Sequence, residues 1–264
     1  MGDISNHIVR LYARLQKAIA DRDREHASAM HQQQEKERIK KQLTNNINHE
    51  LKTPVASIQV CLETLLAHED MGEGKRREFI ERSLAHTDRL KRLLSDVSLI
   101  TRMDDGSMAI HREPLNLTEL IASVVEECNP LAERRGMSIE NEIRAEITVN
   151  GNELFLLSVF HNLVENAVAY SGGTRILLKT DSMDEKSVII TVADDGCGVG
   201  EEHLPHIFER FYRIDKGRSR ALGGTGLGLS IVKNAVQMHG GTISVANQVS
   251  GGLIFTIVFP LNKV

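Results

Sequence analysis

The chain has 264 residues, 41% of them hydrophobic and 26% charged, and a formal net charge of −4. This length accommodates two compact domains or one large one, and the composition is that of a soluble globular protein. The slightly acidic balance argues against a protein that coats nucleic acid, and the scattered Cys61, Cys128 and Cys197 indicate reduced cytosolic thiols without zinc-ligand spacing.

The first fifty residues read as one long helix. A heptad seam begins with Ile4, Ile8, Leu11, Leu15 and Ala18. The seam then turns polar before Ile39 and Leu43 restore it. This pattern predicts a signalling helix over 1–38 that pairs as a weak parallel dimeric coil, and the alternative is a solvated single helix.

Two further amphipathic segments follow. One runs from Leu51 to Ala67, and the other carries an apolar stripe from Ile80 to Val97; residues 68–74 between them are rich in helix breakers. A helical hairpin cannot bury its stripe alone, so two copies are expected to form a four-helix bundle. We therefore predict a dimerisation domain over 39–104 and a linker over 105–111. No run of about 18 apolar residues and no signal peptide is present, so this chain is not expected to span a membrane.

Residues 112–264 mix helices with paired strands. Helices are predicted over 118–135, 153–170 and 227–238, the first of them capped by the Thr118 hydroxyl. Strands are predicted over 137–143, 147–150, 175–180, 188–192, 242–246 and 253–259. The mixed order favours an α/β sandwich over a parallel βαβ sheet, and the whole chain is predicted to be an α+β multidomain protein.

The segment His49-Glu50-Leu51-Lys52-Thr53-Pro54 carries the first candidate chemistry. A histidine ring nitrogen is a nucleophile near neutral pH, and Glu50 could accept its proton. Thr53 lies at i+4 on the same helix face, where its hydroxyl could orient a water. Pro54 removes an amide donor and is expected to bend the helix just after His49. The alternative is that His49 is one of eleven histidines on a solvated helix.

Two motifs in the second domain favour a nucleotide. Asn162 and Asn166 project from one helix face, and an amide oxygen is a fitting ligand for Mg²⁺, although helical Asn pairs are usually caps or surface residues. Asp194 ends a strand and is followed by Gly196 and Gly198, which allow a ligand close to the backbone. Alone, this second pattern occurs in many turns.

Two more motifs follow in the chain. Phe208 and Phe211 have the spacing of core residues, while Arg210 and Arg213 could contact phosphate. Lys216, Arg218 and Arg220 form a basic loop that suits a mobile lid, or is simply solvated. A glycine-rich segment then opens a helix and offers an anion site at its N-terminus: Gly224, Thr225, Gly226, Leu227, Gly228 and Leu229. It is neither a Walker A loop nor a Rossmann fingerprint.

Together these boxes, in this order, resemble the sensor histidine kinases of two-component systems, with a HisKA-type domain followed by a Bergerat-type ATP-binding domain. The resemblance implies His49 as the phosphoacceptor, Glu50 as the general base and Thr53 as the phosphatase residue. It implies Asp194 at the adenine amino group, Gly198 beside the ring, Mg²⁺ at Asn166 and catalytic Arg210 and Arg213. The implied ATP-binding set comprises Asn162, Asn166, Tyr170, Asp194, Gly196, Gly198, Phe208, Lys216 and the glycine-rich segment 224–229.

The resemblance also implies ATP and Mg²⁺ as cofactors, a homodimer, and a response-regulator receiver domain as phosphoryl acceptor. It implies a cytoplasmic part of a bacterial inner-membrane sensor whose membrane region lies outside this chain. One departure is Ala169, where members of the family often carry a phosphate-binding lysine. ATP-hydrolysing relatives of the fold carry a glutamate at the position of Asn162, which argues against a stand-alone ATPase. A non-catalytic scaffold that binds nucleotide remains the other alternative.

Overall fold

The computed structural model describes residues 2–68, 70–104, 111–215 and 224–261. The chain separates into two compact units, Met1–Glu50 and Leu51–Val264. The predicted lid residues Lys216, Arg218 and Arg220, and most of the predicted linker, lie outside the described residues.

Two long helices make up the first part of the chain. Helix α1 (Gly2–Ala67) is continuous through Pro54, so the two predicted helical segments are one helix. Helix α2 (Glu73–Asp104) begins within the predicted breaker stretch 68–74, whose last two residues are helical. Most side chains of the heptad seam in α1 lie outside the described residues. Among the helices that the structure describes, none is both long and apolar enough to cross a membrane.

The second part of the chain is a layer of helices on a mixed sheet, which confirms the predicted fold class. Its strands are β1 (Glu113–Asn116), β2 (Ser138–Asn141), β3 (Thr148–Gly151), β4 (Arg175–Met183), β5 (Ser187–Asp194), β6 (Thr242–Asn247) and β7 (Leu253–Pro260). Its helices are α3 (Leu117–Glu133), α4 (Glu153–Tyr170), the short 3-10 helix Glu201–His203 and α5 (Gly228–Met238).

The main sheet has the order β2-β4-β5-β7-β6. Its pairs are antiparallel except β2 with β4, which are parallel. A separate two-stranded sheet pairs β1 with β3, and the sequence had not indicated β1. Strand β5 therefore lies between β4 and β7 and not at an edge of the sheet. Both neighbouring strands can support Asp194 at its carboxyl end.

The core lies between the helices and one face of the sheet. Alternate residues of the central strands are buried, as expected when one face is covered. These residues are Ile176, Leu178, Val188, Ile190, Val192, Phe255, Ile257 and Phe259. From α4, Leu156, Phe160 and Leu163 are almost fully buried. The packed core fixes the direction in which α4 projects its polar face.

The prediction that Thr118 caps α3 is wrong. The cap is Asn116, whose Oδ1 accepts hydrogen bonds from the backbone N–H groups of Thr118 (3.1 Å) and Glu119 (3.2 Å). Asn116 has the extended backbone of a cap residue, whereas Thr118 is already inside the helix. The Thr118 hydroxyl instead donates to the carbonyl of Ala145 and accepts from the N–H of Ile147.

Candidate functional site

A cavity of about 890 Å³ opens beside α4, the start of α5 and the end of β5. Its lining includes most of the residues predicted to contact a nucleotide: Asn162, Asn166, Tyr170, Asp194, Gly198, Arg213, Gly224, Thr225, Gly226, Gly228 and Leu229. The structure therefore brings together motifs that are separated by more than sixty residues of sequence.

Helix α4 presents a polar stripe to this cavity. Asn162, Asn166 and Tyr170 are spaced four residues apart, so they share one face. The Asn162 amide donates to the carbonyl of Ser158 (2.8 Å), and its Oδ1 lies so close to Gly228 that a Cβ there would overlap it. Asn162 thus joins α4 to the first turn of α5, while the half-buried Asn166 faces the cavity.

Asp194 is 6% exposed at the carboxyl end of β5. Its Oδ1 accepts from the backbone N–H groups of Gly196 (3.0 Å) and Leu253 (3.3 Å). Burial raises the pKa of Asp194 above its usual value, although these two hydrogen bonds oppose the shift. A carboxylate held this way can accept a hydrogen bond from a ligand amino group that enters the cavity.

Two glycines beside Asp194 have no room for a side chain. Gly198 has φ +65°, and a Cβ there would lie 2.6 Å from Oδ1 of Asn247. At Gly196, which does not itself line the cavity, a Cβ would overlap the carbonyl oxygen of Ser171. The glycine spacing that the sequence displays thus permits close packing next to the buried carboxylate, by a side chain at Gly198 and by backbone at Gly196.

The glycine-rich segment that leads into α5 is held by an internal hydrogen bond and by a hydrogen bond from Arg213. The Thr225 hydroxyl accepts from the N–H of Leu227 (3.2 Å), and Arg213 donates to the carbonyl of Thr225 (2.7 Å). Leu227 is fully buried and does not line the cavity, whereas Gly228 and Leu229 do. The first turn of an α-helix with close-approach glycines therefore faces the cavity, an arrangement that favours anions.

Two residues of the segment 207–213, Phe208 and Arg210, do not line the cavity. Phe208 packs edge-on against Phe255, with ring centroids 6.3 Å apart, and does not line the cavity. Arg210 donates two hydrogen bonds (2.9 and 2.7 Å) to the carboxylate of Asp104, the last residue of α2. Arg210 is therefore engaged by a carboxylate here and is not part of the cavity lining.

Helix α2 contributes to the cavity, which no sequence motif had predicted. Arg92, Ser95, Asp96 and Leu99 of α2 line it. The Thr225 hydroxyl donates to the Asp96 carboxylate (2.7 Å), and burial raises the pKa of Asp96 to about 6. No motif marks these positions, because nothing local in a charged amphipathic helix distinguishes residues that meet a distant loop.

His161 is a second lining residue that the sequence did not indicate. Its Nδ1 lies 4.0 Å from the Cys128 sulfur, and its Nε2 lies 3.0 Å from Oε2 of Glu127. Contact with the Cys128 sulfur, followed by the hydrogen bond to Glu127, raises the pKa of His161 to about 9 against the effect of burial. The imidazole is thus cationic at neutral pH and paired with a carboxylate.

The predicted phosphoacceptor segment lies within α1. His49 is exposed and Glu50 is half-buried in the unit Met1–Glu50. Thr53 is exposed and Pro54 is buried in the unit that begins at Leu51, and the carbonyl of Thr53 accepts from the Ser57 hydroxyl (3.0 Å). An exposed imidazole on a helix is accessible to a reacting partner.

Comparison with known families places two regions of the chain. Residues 39–106 match the model of the His Kinase A (phospho-acceptor) domain. Residues 151–263 match the model of the histidine kinase-, DNA gyrase B-, and HSP90-like ATPases. The two regions follow one another in the order that the motifs predicted.

Curated relatives agree with these domains. The chain is 33% identical over 225 residues to the sensor-like histidine kinase SenX3 of Mycolicibacterium smegmatis, a match that covers 85% of this chain and 58% of SenX3. It is 31% identical over 230 residues to the signal transduction histidine-protein kinase BaeS of Escherichia coli, covering 86% of this chain and 48% of BaeS. The chain thus spans about half the length of these relatives.

Solved structures show the same fold. Acinetobacter baumannii histidine kinase AdeS superposes over 81% of this chain and 98% of its own, with a TM-score of 0.66 at 21% identity. Full-length ShkA in complex with AMPPNP superposes over 82% of this chain and 45% of its own, with a TM-score of 0.61 at 26% identity. The chain belongs to the sensor histidine kinases of two-component signal transduction. Residues 151–263, which match the ATPase model, form an ATP-binding domain.

Proposed function

We propose that this chain is the phosphotransfer and ATP-binding part of a histidine kinase, and that it transfers the γ-phosphoryl group of ATP to His49. The observation that carries the proposal is the cavity, where Asn166, Asp194 and the glycine-rich start of α5 meet. A carboxylate for an amino group, an amide oxygen and an anion-binding helix terminus are the groups that an adenine nucleotide needs.

In the proposed complex, Asp194 accepts a hydrogen bond from the adenine amino group and the N-terminus of α5 receives phosphate oxygens. Asn166 would hold Mg²⁺ through its amide oxygen, since Mg²⁺ prefers oxygen ligands and keeps several water and phosphate oxygens. The metal would supply neutralisation of phosphate charge. Asn162, with its amide bonded to Ser158, has no basic group to activate water, which favours transfer to the protein over hydrolysis.

The transfer step involves one bond formed and one broken. A ring nitrogen of His49 attacks the γ-phosphorus, the bond from that phosphorus to the β,γ-bridging oxygen breaks, and ADP leaves. Glu50 accepts the proton that the imidazole loses. Catalysis is mostly positioning and charge neutralisation, as is general for phosphoryl transfer.

Replacing His49 tests this step. His49→Gln is expected to abolish incorporation of acid-labile label from γ-labelled ATP, since glutamine has no nucleophilic ring nitrogen. His68→Gln is the matched control, because His68 is also exposed but lies just beyond the end of α1. Labelling that persists in His49→Gln would disprove the assignment, and sustained phosphate release without labelled protein would favour the ATPase alternative.

The phosphohistidine is proposed to pass its phosphoryl group to an aspartate of a response-regulator receiver domain. Thr53 is exposed, and its hydroxyl is proposed to orient the water for the reverse reaction, hydrolysis of the phosphorylated regulator. Thr53→Ala is expected to slow dephosphorylation of the regulator at least about tenfold while autophosphorylation stays near the wild-type rate. A parallel loss of both activities would argue for a structural role.

The same proposal extends to the assembly. Residues 1–38 are proposed as a signalling helix, 39–104 as the dimerisation and phosphotransfer domain and 112–264 as the ATP-binding domain, with 105–111 as the linker. The active form is proposed to be a homodimer on the cytoplasmic side of a bacterial inner membrane. A sensor and membrane region outside this chain would anchor it.

A further inference from the structure

We propose that Arg135, which belongs to none of the sequence motifs, is a phosphate-binding residue of the nucleotide cavity and supplies the positive charge that Ala169 lacks. The inference rests on the proposed function, because it presumes that the cavity binds a nucleotide. It concerns a different part of the chain, since Arg135 follows the C-terminal end of α3.

The side chain of Arg135 contacts the end of α4. Its Nη1 donates to the carbonyl oxygens of Ala169 (3.3 Å) and Val168 (3.4 Å), and Arg135 lines the same cavity as Asn166. A lysine side chain at position 169 would start from the residue whose carbonyl Arg135 contacts. Arg135 and Ala169 both line the cavity, so the guanidinium and a lysine at position 169 would border the same space.

Arg135 keeps most of its donors for a ligand. A guanidinium has five N–H donors in a planar fork, and the two hydrogen bonds of Arg135 both use Nη1. Within the described ranges, Nε and Nη2 make no hydrogen bond. A fork held at one nitrogen and open at the others matches the geometry of two phosphate oxygens.

Charge in this part of the cavity is concentrated around Tyr170. Burial raises the pKa of the Tyr170 phenol, while Arg213, Arg92, Arg89 and Arg135 act in the opposite direction. Three of these arginines, Arg92, Arg135 and Arg213, also line the cavity. Arg213 also holds the carbonyl of Thr225, and the cationic His161 is paired with Glu127. Arg135, by contrast, is bound only by long contacts to neutral carbonyls.

A purely structural role is the competing explanation. An arginine at the C-terminus of a helix satisfies its last carbonyls and interacts favourably with the helix dipole. That role would affect the stability of α4 and all ligands alike. A phosphate-binding role would affect ligands according to the number of phosphates they carry.

The test measures dissociation constants of the whole chain for ATP, ADP and adenosine by calorimetry with Mg²⁺ present. Arg135→Ala is expected to weaken ATP and ADP binding about tenfold or more, as for the loss of charge-assisted hydrogen bonds, and to leave adenosine unchanged. Adding Ala169→Lys to Arg135→Ala is expected to restore most of the ATP affinity. Arg134→Ala is the matched control, because Arg134 is exposed and donates to the carbonyl of Pro130.

The possible results distinguish failure of the proposed function from failure of the role of Arg135. If the wild-type chain binds neither ATP nor adenosine, the proposed function fails and this inference falls with it. If the wild type binds ATP and Arg135→Ala binds it equally well, or loses ATP and adenosine in the same proportion, only the role of Arg135 is overturned. Loss confined to phosphorylated ligands, with rescue by lysine, supports it.

Discussion

At the scale of single residues, Gly252 supports the end of the cavity at which Asp194 lies. It has φ +87°, and a Cβ built there would overlap the backbone carbonyl of Asp194. That carbonyl also accepts from the side-chain amide of Gln248 (2.7 Å). The segment before β7 therefore packs tightly against the end of β5, and this contact requires a residue without a side chain at position 252.

Gly252→Ala is expected to destabilise the chain by about 3 kcal/mol or more, since it combines backbone strain with a collision against main chain. Gly172→Ala is the matched control, because Gly172 has φ +66° and open space around it. It should lose only the strain, roughly 1–2 kcal/mol. Urea denaturation of both variants measures the difference, and equal losses would show that the collision relaxes.

At the scale of secondary-structure elements, α2 has two distinct faces. One face buries Leu93, Ile100 and Met103 and brings Asp96 to the Thr225 hydroxyl. The end of the helix is tied to Arg210 through Asp104. A helix of the predicted dimerisation domain thus places a carboxylate inside the proposed nucleotide cavity, where it would oppose phosphate charge once ionised.

Asp96→Asn is therefore expected to strengthen ATP binding at pH 7.5, by roughly tenfold if one repulsive charge is removed at an intermediate dielectric. Because the pKa of Asp96 is raised to about 6, wild-type affinity should fall as pH rises above about 6. A bound phosphate raises this pKa further, so the complex takes up a proton in that range. Asp96→Asn has no carboxylate to take up this proton, so its ATP affinity lacks this part of the pH dependence.

Calorimetric titrations with ATP from pH 6 to 8 measure how the affinity changes with pH. Protonation of ATP itself is common to both proteins and cancels in the comparison. Asp88→Asn provides the control, since Asp88 is an exposed acid of α2 outside the cavity lining. Parallel pH profiles for wild type and Asp96→Asn would contradict the expected repulsion.

At the scale of the whole molecule, the second face of α2 indicates how the proposed dimer forms. Ile80, Leu84 and Leu94 are 53%, 60% and 53% exposed, and Leu66 of α1 is 79% exposed. Apolar side chains at helical spacing that remain exposed in one chain favour a bundle with a second copy.

Leu84→Glu is expected to weaken the proposed dimer on the order of a hundredfold or more, because the symmetric interface loses two buried leucines and gains two charges. Sedimentation at several concentrations measures the change. Met183→Glu is the control, as Met183 is 45% exposed at the end of β4. A Leu84→Glu chain that remains dimeric at low concentration would exclude this face from the interface.

The sequence alone indicated the family, the α+β class and most of the cavity. Those features depend on local patterns: apolar periodicity predicted α4 and α5, and residue type at fixed spacing identified Asn162, Asn166, Asp194 and the glycine-rich segment. The cap of α3 was misassigned to Thr118 because Asn116 and Thr118 both have side chains that cap helices, and only the backbone conformation distinguishes them.

Tertiary structure decided what no local pattern encodes. The placement of Asp96, Arg135 and Gly252 depends on which elements meet, and these residues approach partners 33 to 129 positions away. Arg210 is an example: the sequence predicted a contact with phosphate but not the ion pair with Asp104, 106 positions earlier, that the fold forms. The sequence determines the chemistry of each side chain. Packing determines the partner of each charge, because a charge interacts with the groups that the fold brings within a few ångströms of it.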